Sequence, residues 1–150
     1  RTHGIRYVFL GKELGARSED PSCYEAGRVQ YSRLARTELF RSGLERVIRG
    51  SQEYRLALMC AEKDPLECHR TLLVAQALVE RGLSVCHILA DGSLELHENS
   101  LTRLLESEDR SQDDLFRSRE DRIADALARQ ERRIAYAVDK RPAEARGESA

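Results

Sequence analysis

The chain has 150 residues, 34% of them charged and 41% hydrophobic, with a net charge of −1. That length suits one domain with a sizeable core, and the near-neutral balance gives no global signal for nucleic acid or a membrane surface. No apolar run approaches the ~18 residues of a membrane span. No secretory segment is visible and the Cys at 23, 60, 68 and 86 lack framework spacing, so reduced thiols in a cytoplasmic protein are expected.

Taken in order, Ile5 to Leu10, IRYVFL, has strand composition. The loop GKELGARSEDPS follows, and loops at strand ends are where substrate contacts gather. Arg17 is its candidate anion-binding residue, while Lys12 reads as solvated loop charge. Residues 1–50 carry ten Lys/Arg against six Asp/Glu, which is compatible with anion binding. Tyr24 and Tyr31 interleave with Arg28, Arg33 and Arg36. That pattern could stack on bases and track phosphates. It equally describes a helix that turns Val29, Leu34, Leu39 and Phe40 to a core. Ser42-Gly43-Leu44-Glu45 has the form of a capping box, and Leu44, Val47 and Ile48 continue a helical stripe to Gly50.

Leu56-Ala57-Leu58-Met59-Cys60 reads as a buried strand that ends abruptly in charge. Asp64 fits a helix N-cap, Pro65 the first helical position and Glu67 the third. The predicted helix runs to about Arg81 and stops at Gly82. Leu83 to Leu89 then supplies a second strand, making a βαβ unit with parallel strands. Ligands in such units bind where strand carboxyl ends meet helix amino ends, and Cys60, Glu62, Cys68, His69 and Arg70 fall there. Ala90-Asp91-Gly92-Ser93 signals a turn, and Leu94 to His97 a short strand. His87 and His97 would then lie near the sheet edge, available as metal ligands or proton shuttles, although for a lone His, and for His97 above all, a satisfied structural role is the commoner one. A helix follows from Asn99 to near Glu106.

The carboxyl-terminal part divides into a linker at 107–114, a long helix at 115–138 and a disordered tail at 139–150. Ile123, Leu127, Ile134 and Val138 stripe that helix, and Gln130 interrupts the stripe. It is predicted either to pack on the α/β domain, 1–106, or to pair with a second copy.

The junction residues admit three chemistries. A thiol at a helix start gains nucleophilicity, Glu62 and His69 are candidate base and acid, and Arg70 with the helix amino end could clamp a phosphate. Alternatively, Cys60, Cys68 and His69 hold zinc or iron, although adjacent residues on a helix point about 100° apart. In the third chemistry the helix start binds a nucleotide or nucleic-acid phosphate without bond making. Beside these stands the ordinary role of a free Cys as a small core residue.

Met59-Cys60-Ala61-Glu62 followed by Cys68-His69-Arg70 closely resembles the signature of the family catalogued as domain of unknown function 488. Gly4-Ile5-Arg6-Tyr7 and Leu14-Gly15-Ala16-Arg17 look like its "GI-x-Y" strand and "LGG-R" loop. Val85-Cys86-His87-Ile88 looks like its "V-x-HI" strand, which makes His87 a further candidate. The resemblance spans Gly4 to Leu105. The family's opening "TIGHS"-like turn and "DVR" strand do not occur here, which predicts a chain lacking the family's amino-terminal βαβ portion. The resemblance implies a fold but supplies no reaction.

Together these readings predict a three-layer, Rossmann-like α/β fold with a mostly parallel sheet and a long carboxyl-terminal helix. The expected function is an enzyme with a cysteine-containing, anion-binding site for a phosphate-bearing substrate. Two alternatives are a non-catalytic nucleic-acid or nucleotide-binding module and a Cys/His metal-dependent enzyme with zinc or iron.

Overall fold

Helix dominates the protein because its apolar residues recur mostly at helical spacing and its β-type runs find few partners. The structure, a computed structural model, describes residues 3–107 and 117–138. A short helix α1, Gly11–Leu14, is followed by a two-stranded hairpin of β1, Tyr24–Glu25, and β2, Arg28–Val29. Ala26 and Gly27 turn the hairpin, both at positive φ. A single-turn helix α2, Tyr31–Leu34, leads to α3, Glu38–Glu53. A further helix spans 69–79, its first part a π-helical turn over Arg70–Ala75 and its last turn α4, Gln76–Val79. A second hairpin joins β3, Cys86–Ile88, to β4, Leu94–Leu96, before α5, His97–Ser107, and α6, Arg119–Ile134.

The core forms where α3 meets the 69–79 helix. Phe40, Leu44 and Val47 pack with Leu72, Leu73, Val74 and Leu78, and with Val29, Tyr31 and Leu34 from the hairpin side. Gly43 is required within α3. A Cβ there would lie 2.5 Å from the Cβ of Glu13, so only glycine lets α1 lie against α3. Arg46 bonds Glu13 at 2.7 Å and pins the same contact. This seating holds the 11–17 loop beside the functional cluster.

The sheet corrects the expectation from sequence. Among the described residues there are two antiparallel hairpins and no parallel sheet, so the Rossmann-like, three-layer reading does not hold. The residues of IRYVFL and LALMC form neither helix nor strand, and neither run pairs with another strand. Tyr7 is 76% and Met59 85% exposed. Strand composition describes a side chain's fit to a pleated surface; it cannot supply the neighbouring strand. The Cys86–Ile88 run does pair, but with the next strand across a tight turn, which enforces antiparallel geometry. Asp91 Oδ1 accepts from the Ser93 backbone at 2.9 Å, and Gly92 takes φ +85° to close that turn.

Two helix boundaries also move. The capping box at Ser42 does not form, because Thr37 caps α3 instead, accepting from the Phe40 backbone at 3.2 Å. The basic–aromatic stretch is a hairpin and a single helical turn, not one helix. The predicted linker and tail, apart from Ser107 at the end of α5, lie outside the described residues.

α6 packs on the rest of the chain through its apolar face. Ala126 is fully buried with Leu66 and Leu104. Gln130, which interrupts the stripe, is the polar anchor. Its Nε2 donates to the Leu66 carbonyl at 2.8 Å and to Glu67 Oε1 at 3.2 Å. Arg133 reaches the same Glu67 oxygen at 2.6 Å, and Glu131 Oε1 accepts from the Tyr31 backbone at 2.6 Å. Replacing Gln130 by Leu strands a buried carbonyl, so the variant should lose about 1–3 kcal/mol of stability. A urea midpoint that stays in place would show that Gln130 anchors nothing.

Candidate functional site

The stretch 60–70 is shaped by one cap and one break. Asp64 Oδ1 accepts from the Leu66 backbone at 2.9 Å and opens a single 3-10 turn, Pro65–Glu67, as its sequence implies. The helix does not continue. Cys68 is extended, at φ −130° and ψ 134°, and the next helix begins after it. Cys68 itself acts as the cap. Its Sγ accepts from the Arg70 backbone at 3.3 Å and its carbonyl accepts from Thr71 and Leu72. The 100° separation expected for neighbours on one helix therefore does not apply to Cys68 and His69.

That break lets four side chains converge. Ligand-type atoms of Cys60, Glu62, Cys68 and His69 all lie within 4.8 Å of one another. Glu62 Oε2 accepts from both thiols, at 2.8 Å from Cys60 and 3.2 Å from Cys68. Cys60 Sγ stands 3.7 Å from His69 Nδ1. Cys68 is fully buried, Cys60 and His69 are half-buried and Glu62 is exposed.

The electrostatics follow from that placement. The Cys60 and Cys68 S–H donors hold the Glu62 carboxyl below its usual range. Burial, the Cys60 thiol and the Glu62 carboxylate push the Cys68 thiol far up, against the Arg70 backbone N–H. Burial pushes His69 down, against the attraction of Glu62, so its ring is neutral at pH 7. The cluster thus holds a carboxylate and a buried protonated thiol around a neutral imidazole.

A cavity of about 330 Å³ opens beside it, lined by Arg17, Tyr31, Glu62, His69 and Tyr136 among others. Arg17 stacks over the Tyr136 ring at 4.5 Å from its centroid. The structure therefore brings together Cys60, Glu62, Cys68, His69 and Arg17. Tyr31 and Tyr136 line the cavity without having been singled out as site residues. Tyr31 stands in the sequence only as part of the basic–aromatic pattern, and nothing in the sequence near Tyr136 places it opposite Arg17.

Arg70 and His87 lie elsewhere. Arg70 does not line the cavity, and its Nε is buried with no hydrogen-bond partner among the described residues. His87 is buried against His97, Nε2 to Nδ1 at 3.0 Å, and His97 Nε2 stands 3.2 Å from Gln76 Oε1. Since that amide oxygen can only accept, His97 carries its proton on Nε2 and His87 donates to His97 Nδ1. Burial, the adjoining His97 ring and the Arg70 charge push His87 down to about 4. The pair is a neutral structural link between β3 and α5. Of the basic residues near the hairpin, Arg28 donates to the Arg132 and Ala135 carbonyls, and Arg33 pairs with Glu25.

Fold and site together define a small, largely helical domain that gathers two thiols, a carboxylate and an imidazole beside an arginine-lined cavity. The chain belongs to the DUF488 family, a domain of unknown function, whose profile matches residues 1–77. That span includes the whole cluster, Arg17 and Tyr31, and ends short of His87. No curated protein and no solved structure matches the chain. Among the described residues, no helix is long and apolar enough to cross a membrane.

Proposed function

We propose that Cys60, Cys68, His69 and Glu62 hold a zinc-class metal ion, and that the protein is a metal-dependent enzyme acting on a small anionic, phosphate-bearing substrate in the adjoining cavity. The observation that carries this reading is the convergence of two sulfurs, one nitrogen and one carboxylate within 4.8 Å. Tetrahedral zinc, with bonds of about 2.3 Å to sulfur and about 2.0–2.1 Å to nitrogen or oxygen, needs ligand separations of roughly 3.3–3.8 Å. The 3.7 Å and 3.2 Å contacts are close to that range, and the 2.8 Å thiol–carboxylate contact would widen once a cation replaced the shared proton. Charge argues the same way. A carboxylate between two thiols keeps them protonated, which suits a nucleophile poorly, whereas a divalent cation makes the thiolates and the carboxylate mutually favourable.

Such an ion would supply Lewis acidity and a nucleophilic hydroxide near neutral pH. The chain's own residues do the rest. Cys68 and His69 are fixed by the helix start, while Glu62 faces the cavity and can give up coordination or take a proton. Arg17 offers positive charge to the substrate. All four cysteines are free, and a reducing, cytoplasmic setting belongs to this reading.

A second reading keeps Cys60 as a nucleophile, favoured by its half-exposed thiol 3.7 Å from His69 Nδ1. Elemental analysis of protein purified without chelator separates the two. About one zinc or iron per chain, absent from Cys68→Ser, together with Cys60 shielded from alkylation until metal is stripped, supports the metal centre. A metal-free protein whose Cys60 alkylates much faster than Cys23 would turn the assignment to thiol chemistry.

A further inference from the structure

We propose that Arg17 and Tyr31 form an oxyanion subsite, which seats a phosphate or carboxylate group of the substrate against the Cys60/Glu62/Cys68/His69 cluster. The inference rests on reading that cluster as the reactive centre, and it stands on two observations of its own.

The first is Tyr31. The residue is only 4% exposed, and its ring belongs to the core. Its backbone is fixed by the 2.6 Å bond to Glu131. Buried tyrosine hydroxyls ordinarily find a protein partner. The Tyr31 hydroxyl makes no hydrogen bond within the described residues and is not among their fully buried unpaired atoms, so it is open to the cavity that Tyr31 lines with Glu62 and His69. Burial and the acidic groups nearby, Glu131 first, keep the phenol protonated, so it is an O–H donor at neutral pH.

The second is Arg17. Its guanidinium lies over the Tyr136 face, an arrangement that orients the plane while leaving the N–H edge open. Among the described residues it has no ion pair and no hydrogen bond, unlike Arg28, Arg33, Arg46, Arg103 and Arg133, which all have partners. A planar fork and a single O–H donor lining one cavity match an oxyanion that presents several acceptor oxygens. Phosphate monoesters and carboxylates share that chemistry.

The test titrates the full chain with inorganic phosphate and, separately, acetate by calorimetry, with and without one equivalent of zinc, recording zinc uptake in the same samples. Wild type, Tyr31→Phe and Arg17→Met are compared, each checked for an unchanged circular dichroism spectrum. Phe retains the ring that the core needs. Phosphate or acetate affinity should fall about 10-fold in Tyr31→Phe, as for a lost hydrogen bond to a charged group. It should fall about 100-fold in Arg17→Met, as when one member of a charge pair is removed. Which anion shows these losses tells whether the group is phosphate or carboxylate. If they appear while zinc is not taken up, the subsite stands and the metal reading fails. If zinc is taken up but anion affinity is the same in all three proteins, or no anion binds, the subsite is overturned and the metal reading stands.

Discussion

Zinc added to the metal-free chain is expected to raise its stability by about 4 kcal/mol when free zinc is a thousandfold above the dissociation constant. For a chain of this size, that corresponds to a rise in Tm of roughly 8–16 °C. The effect is large because the ligands are already gathered by the fold. Cys68 is set by its role as helix cap, and Glu62 by hydrogen bonds from both thiols. Binding exchanges the thiol protons for one cation, so affinity should weaken as pH falls and protons are released on loading. His69 does not add to that competition near neutrality, because burial already holds it neutral. Thermal melts with zinc, and with magnesium as a hard-cation control, measure the shift. Cys68→Ser should abolish it. A shift of equal size in the variant, or none in the wild type, removes the metal centre.

Acidification from pH 7 to pH 4 should cost the fold about 3 kcal/mol through His87 alone, being the free energy of a pKa held near 4 against about 6.5 when unfolded. The sign follows from proton uptake. Above pH 6.5 both states are neutral and the contribution is complete. Between 6.5 and 4 the unfolded chain takes up a proton that the folded chain refuses, so stability falls. Below 4 both are protonated and the loss levels off. His97, also pushed down by burial, adds in the same direction. Asp64 and Glu95, lowered chiefly by Arg103, lose their contribution only as pH falls below the ordinary carboxylate range. Urea unfolding across this range, on wild type and His87→Gln, isolates the histidine. The glutamine amide can still donate to His97 but cannot titrate, so the variant should show a shallower loss between pH 6.5 and 4. Parallel curves would mean that His87 is not a buried neutral group.

How much of this was written in the sequence depends on the range of the interaction concerned. The Asp64-Pro65 cap, the Asp91-Gly92 turn and the association of Cys60, Glu62, Cys68 and His69 were legible, because each rests on neighbours within about ten residues. The family was legible from the same motif. The sheet was not. IRYVFL and LALMC carry strand composition, but a strand exists only when another lies beside it, and that pairing is non-local. The α3 cap at Thr37 was hidden for a related reason: packing of Phe40, Leu44 and Val47 set the helix, and the local Ser42 signal gave way.

Tertiary structure decided the site's geometry. An unbroken helix would have set Cys68 and His69 on different faces. The break at Cys68, with the helix restarting from its sulfur and carbonyl, turns both toward Glu62. Gln130 looked like a flaw in an amphipathic stripe until α6 placed it against the Leu66 carbonyl. Tyr31 and Tyr136 are 105 positions apart in the chain, and only the docking of α6 and the hairpin puts both on one cavity with Arg17. The sequence by itself determined which chemical groups are present and how the nearest of them are capped and turned. Which of those groups share a cavity, and with what charge state, followed from burial and long-range packing, which no local spacing encodes.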